Sequence, residues 1–163
     1  MSLEEVYKKE NLQNHIYNTP DTYVGGCDLI SENLCIYDSD KNKIVEKEIE
    51  YIPALFNTYN EILVNAKDQA TRLNGLYSKD KSVNVVTEIK VNFDVEKGEI
   101  SIMNNGDGID VAEHPKEKKN GKAIYIPQLI FGELLTSTNY NKDEKKIVGG
   151  KNGYGAKLTN IFS

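Results

Sequence analysis

The chain has 163 residues, 39% apolar and 28% charged, a length that suits one domain with a real core but not two independent ones. Twenty basic residues, all Lys except Arg72, face 25 acidic ones, and a net charge of −5 excludes a surface built mainly to grip DNA phosphates. No apolar run spans a bilayer, residues 1–25 lack a signal-peptide core, and two Cys without a C-x-x-C pattern and two His exclude a disulfide scaffold or zinc module, leaving a soluble intracellular domain.

The first twenty residues are polar and read as an arm or weak helix, ending in a turn at Asn18-Thr19-Pro20-Asp21. Residues 33–37 and 44–50 read as two short strands, and the Asp38–Lys43 stretch between them is turn chemistry. Pro53 suits a first helical turn. A long helix follows to about Leu73, with Leu55, Tyr59, Ile62, Ala66 and Leu73 as its apolar stripe and Phe56 and Leu63 alongside.

Residues 74–84 read as a polar loop. Ile89, Val91, Phe93 and Val95 then alternate strictly, and Ile100 and Ile102 follow a Glu96-Lys97-Gly98 turn, which predicts a hairpin with one buried face. Residues 104–108 form a Gly-punctuated turn. The Lys-rich stretch from His114 to Lys122 reads as an exposed loop, and a helix from near Pro127 to Leu135 comes next. Last, a Gly-rich loop from Gly149 feeds a helix carrying Ala156, Leu158, Ile161 and Phe162.

Three clusters can carry chemistry. Glu61, Asn65 and Asp68 lie at i, i+4 and i+7, so all three project from one helix face. The carboxylate can take a proton from water, and the carboxamide oxygen is a hard neutral ligand suited to Mg²⁺. A solvated face of an ordinary amphipathic helix explains the same line. Asn104-Asn105-Gly106-Asp107-Gly108 lets backbone approach a flat ligand while an Asn reads a base edge, though a plain turn has the same composition. Gly149 to Lys157 leads consecutive N–H groups into a helix N-terminus, an anion site; it is neither a P-loop nor a dinucleotide fingerprint, and a flexible lid would look alike. Each signal is weak alone. In this order they supply water activation, a metal ligand, a base reader and a phosphate cradle.

Longer matches surround these parts: Thr19–Gly26, Asn60–Ala66, Met103–Ile109, Leu129–Tyr140 and Gly149–Leu158. In this order they closely resemble the N-terminal ATPase region of eukaryotic-type DNA topoisomerase II, within the gyrase, heat-shock chaperone, histidine kinase and mismatch-repair ATPase superfamily. The resemblance covers nearly the whole chain, and its last two segments are the most specific.

That resemblance implies an α+β two-layer sandwich, a mixed and mostly antiparallel sheet with helices on one face, unfinished at its C-terminal end. It implies a dimerisation arm at 1–25 and a partial nucleotide-binding domain at 26–163 without its transducer. Glu61 becomes the general base for the attacking water, and Asn65 the Mg²⁺ ligand. Asn104 takes the position of the superfamily's adenine-reading Asp, while Asp107 falls at a variable position. Ser137, Thr138 and Asn139 match a segment contacting ribose and phosphate. Gly150, Lys151, Asn152, Gly153, Tyr154, Gly155, Ala156 and Lys157 match the phosphate loop. Tyr7 matches a residue that reaches into the partner subunit's nucleotide site, so a homodimer by arm exchange is implied.

The implied cofactors are ATP and Mg²⁺, and the implied parent activity is ATP-dependent passage of one DNA duplex through another, with DNA held outside this segment. Its place is intracellular: nuclear in a cellular eukaryote, otherwise cytoplasmic or viral. Lys151 stands where the family commonly has Arg, which weakens a bidentate phosphate grip. The loops at 74–84 and 115–123 look longer than usual. A mismatch-repair or chaperone relative, or a non-catalytic nucleotide-binding or dimerisation piece, is the alternative.

Overall fold

The computed structural model describes residues 10–134 and 153–163. Its class is α+β, and packing divides the chain into two compact units, Met1–Asn57 and Thr58–Ser163.

In the first unit, helix α1 (Leu12–Asn18) starts where the Asn11 side chain accepts the Asn14 N–H at 2.9 Å, a standard N-cap. The chain breaks at Thr19, and Pro20 opens the short helix α2 (Pro20–Val24) at a position where its missing N–H costs nothing. The expected turn at 18–21 is therefore a junction of two helices. Strands β1 (Ile30–Asp38) and β2 (Lys43–Tyr51) pair antiparallel from Ile30↔Tyr51 to Asp38↔Lys43, each longer than the apolar residues alone indicated. Their connection closes on Asp38, which accepts the Lys41 N–H at 2.9 Å; that bond and the Lys41 ammonium hold its carboxyl below the usual value. Ile16, Val24 and Ala54 are buried here.

Helix α3 (Pro53–Tyr77) begins in this unit, where Asn57 donates to the Val24 carbonyl at 2.8 Å. It runs one turn further than the stripe ending at Leu73 indicates. The stretch expected as the start of the 74–84 loop instead completes the helix through Tyr77, because nothing in Asn74-Gly75-Leu76-Tyr77 forbids it, although Gly75 weakens it.

The second unit sets the rest of α3 beside strands β3 (Ile89–Asp94) and β4 (Glu99–Asn104), paired antiparallel from Ile89↔Asn104 to Asp94↔Glu99. Ile89, Val91 and Ile102 are half-buried, but Phe93 is 58% and Val95 90% exposed, so only one end of this hairpin has the expected buried face. Phe93 instead leans on Tyr59, with ring centroids 5.6 Å apart.

A second correction concerns the Lys-rich stretch. It is not a loop but the hairpin of β5 (Glu113–Lys119) and β6 (Lys122–Tyr125), exposed along β5 and irregular between Glu113 and Lys118. The cause is Asn120-Gly121, whose φ angles of 52° and 79° match the two-residue turn that suits twisted strands. Helix α4 (Ile126–Gly132) follows directly, with Pro127 in its first turn, and α5 (Gly155–Phe162) closes the chain.

Among the described residues the strands form three two-stranded antiparallel ribbons rather than one mixed sheet. Among the described residues of this unit, Ala66, Leu73, Ile124 and Leu158 are the buried apolar ones. No helix among the described residues is long and apolar enough to cross a membrane.

Gly106 is where core packing meets the turn after β4. A Cβ there would lie 2.6 Å from Val86 Cγ2, 2.7 Å from Leu73 Cδ1 and 3.1 Å from the Val86 nitrogen. We expect Gly106→Ala to destabilise the chain by about 1–3 kcal/mol, through overpacking against the backbone of residue 86. Urea denaturation measures it, and an unchanged midpoint would contradict the packing described.

Candidate active site

Helix α3 presents Glu61, Asn65 and Asp68 along one face, as their spacing requires. Asn65 is exposed and Asp68 half-buried. Glu61 is solvent-accessible at one side, yet enough protein surrounds its carboxyl to raise its pKa. Burial is the larger cause and the Asp68 charge the smaller.

What surrounds Glu61 is the start of α5. A Cβ built on Gly155 would stand 1.8 Å from Glu61 Oε2 and 2.5 Å from Cδ, so the carboxylate occupies the place of the side chain that glycine lacks. Thr159 holds this arrangement from below, its Oγ1 donating to the Thr58 carbonyl of α3 at 3.1 Å. Asn160 Nδ2 ties the same helix to the Phe131 carbonyl of α4 at 3.3 Å. The first i→i−4 bond of α5 runs from the Leu158 N–H to the Tyr154 carbonyl at 2.8 Å, and Tyr154 provides no side-chain cap. The N–H groups of Gly155, Ala156 and Lys157 precede that bond, which is the geometry of an anion-binding helix start.

Lys157 behaves differently from a surface cation. It is only 4% exposed, its ammonium donates to the Gly153 carbonyl at 2.7 Å, and burial lowers its pKa. Its charge is therefore turned to the backbone just ahead of α5. Gly153, Tyr154 and Ala156 are half-buried around it.

Asn104 ends β4 and is half-buried, and its side-chain oxygen accepts the Gly106 N–H at 3.3 Å. That local bond orients the amide while its oxygen keeps a second lone pair. The rest of the turn is stitched to residues 84–88. Asn105 Oδ1 accepts the N–H groups of Thr87 and Glu88 at 2.9 and 3.0 Å, and its Nδ2 donates to Thr87 Oγ1 at 2.7 Å. Asp107 accepts the Asn84 N–H at 3.0 Å and Asn84 Nδ2 at 2.8 Å. Gln69 of α3 donates to the Asp107 carbonyl at 2.6 Å.

The structure thus brings Glu61 and Gly155 together and ties the Asn104 turn to the same helix. Tyr7, Ser137, Thr138, Asn139, Gly150, Lys151 and Asn152 lie outside the described residues. Gln69 and Asn84 were not singled out from the sequence, since an isolated amide on a helix or loop carries no signal of its distant partner. Among the described residues no group of three or more His, Cys, Asp or Glu side chains could hold a metal ion.

No family model matches the chain. Relatives do. DNA topoisomerase 2 of Acanthamoeba polyphaga mimivirus is 48% identical over 166 residues, covering 99% of this chain and 12% of that protein. The Drosophila melanogaster DNA topoisomerase 2 is 45% identical over 163 residues, covering 100% of this chain and 10% of its own length. A crystal structure of the ATPase and transducer domains of DNA topoisomerase II from Balamuthia mandrillaris superimposes with a TM-score of 0.83 at 41% identity, covering all of this chain and 38% of that one. The fold is that of a topoisomerase ATPase region. More narrowly, the chain belongs to the type II DNA topoisomerase family, although it spans only 10–12% of these two curated members' length.

The raised Glu61 pKa has a consequence for stability. A carboxyl whose folded pKa exceeds its unfolded value favours the folded state when protonated, and that contribution is lost as pH rises through the folded pKa. Glu61→Gln removes the titration. We expect its stability relative to the parent to rise as pH climbs from the ordinary value of 4.5 towards neutrality. Thermal melts at about pH 4 and about pH 7.5 read this, and a gap that shrinks with pH would reverse the assignment.

Proposed function

We propose that this chain binds ATP and hydrolyses it, and that in the longer protein this hydrolysis drives passage of one DNA duplex through another. The observation that carries the reading is the Glu61 carboxylate lying against Gly155, the first residue of the helix whose N–H groups would take phosphate oxygens. A carboxyl of raised pKa beside an anion-binding helix start is suited to orient a water for in-line attack and accept its proton.

The other roles follow from position. Asn104, its amide oriented by Gly106, accepts from the adenine amino group through its remaining lone pair. Ser137, Thr138 and Asn139 take ribose and phosphate, and the loop from Gly150 to Lys157 surrounds the triphosphate with backbone N–H groups. Asn65 suits Mg²⁺: one exposed neutral oxygen fits an ion that keeps several waters and fills its shell from phosphate oxygens. When bound, the ion would neutralise phosphate charge.

In this reading residues 1–25 form an arm whose Tyr7 enters the partner's nucleotide site, so a homodimer closes when ATP binds, and residues 26–163 form the nucleotide domain. DNA is left to parts of the longer protein beyond this acidic segment, in the compartment where that DNA resides. This is inside the cell: nuclear in a cellular eukaryote, otherwise cytoplasmic or viral.

Two measurements test this. Glu61→Gln in the intact protein should keep its affinity for a non-hydrolysable ATP analogue and lose turnover by ~100-fold or more; unimpaired turnover would remove Glu61 from the role of base. Light scattering should also show the analogue shifting the chain from monomer to dimer. No shift in a chain that keeps Tyr7 would count against arm exchange.

A further inference from the structure

Gln69 lies one helical turn beyond Asn65 and two beyond Glu61 on α3. Its amide is held at both ends. Nε2 donates to the Asp107 carbonyl at 2.6 Å, and Oε1 accepts the Arg72 Nε–H at 3.1 Å, so the donor end faces the turn. From the other side Asn84 grips the same residue three times. Its carbonyl accepts the Asp107 N–H at 3.0 Å, its own N–H meets one Asp107 carboxylate oxygen at 3.0 Å, and its Nδ2 meets the other at 2.8 Å.

Asp107 stands three residues after Asn104, and between them Gly106 is seated against Leu73 and Val86 without room for a methyl group. The turn cannot slide sideways, so a displacement of the Asp107 backbone is passed to Asn104. We propose that Gln69, Asp107 and Asn84 form a clamp that sets the position of the base-reading turn against helix α3, making them positioning residues for nucleotide-base recognition. This rests on the ATP reading above. The clamp touches neither Gly155 nor the Glu61 carboxylate. It therefore governs contacts to the base and leaves those to the polyphosphate alone.

The test is calorimetric titration of the full chain with a non-hydrolysable ATP analogue, the matching GTP analogue and tripolyphosphate. Gln69→Glu keeps the shape and the acceptor for Arg72 but loses the donor to Asp107. It should weaken the ATP analogue ~10-fold, change tripolyphosphate by less than ~2-fold, and narrow the preference for ATP over GTP. Asn84→Ala, which keeps both backbone bonds, should move the same quantities in the same direction and carries the test if the first variant does not fold. Equal losses for ATP and tripolyphosphate, or unchanged ATP affinity in both variants while the parent binds normally, would overturn the clamp alone. A parent chain that binds none of the nucleotides would overturn the ATP reading as well.

Discussion

The Glu61 carboxylate stands 1.8 Å from where a side chain on residue 155 would begin, so any larger residue there would displace that carboxylate from the start of α5. The contact places the start of α5 against the third turn of α3, and Thr159 and Asn160 secure this by reaching carbonyls of α3 and α4. The carboxyl is pressed into a partly desolvated place and its pKa rises, while the anion-binding end of α5 is delivered to its side. Close packing, electrostatics and candidate chemistry are here one contact seen three ways.

Helix α3 acts as the ruler for everything else in its unit. Glu61, Asn65 and Gln69 follow one another at four-residue intervals, each one turn on. The first meets α5, the second faces solvent with a neutral oxygen, and the third holds the turn after β4. Leu73, one more turn along and buried, receives Gly106 from that same turn. A straight helix fixes these spacings at about 6 Å per step, so the polar line and the apolar contacts are positioned by the same backbone.

Much of this was legible before the structure. Apolar periodicity and Pro53 located α3, alternation located β3 and β4, and the order of the three polar motifs pointed to a nucleotide site. What escaped had physical reasons. The hairpin at 113–125 is dominated by Lys and Glu, so hydrophobic patterning was silent there; only Asn120-Gly121 announced it, through turn geometry rather than burial. Asp107 could be set aside as a base reader, but nothing local showed that its carboxylate turns back to Asn84, twenty-three residues earlier. Lys157 reads as a phosphate ligand by position, whereas its buried ammonium bonds to the Gly153 carbonyl, a contact no sequence pattern announces.

The charge balance then bears on how such a site could tolerate a triphosphate. Glu61 and Asp68 already repel one another enough to affect Glu61, and the Lys157 ammonium is buried and bonded to the Gly153 carbonyl. A ligand carrying several negative charges therefore relies on backbone N–H groups, whose dipoles need no counter-charge, and on an accompanying cation. The same repulsion works in favour of the proposed chemistry. A phosphate group arriving near Glu61 would add a second negative neighbour and raise its proton affinity further, making the carboxylate a stronger base in the proposed reaction. An acidic residue against a phosphate cradle looks like a defect if binding alone is considered. It is consistent once the task is to take a proton from water beside the phosphate.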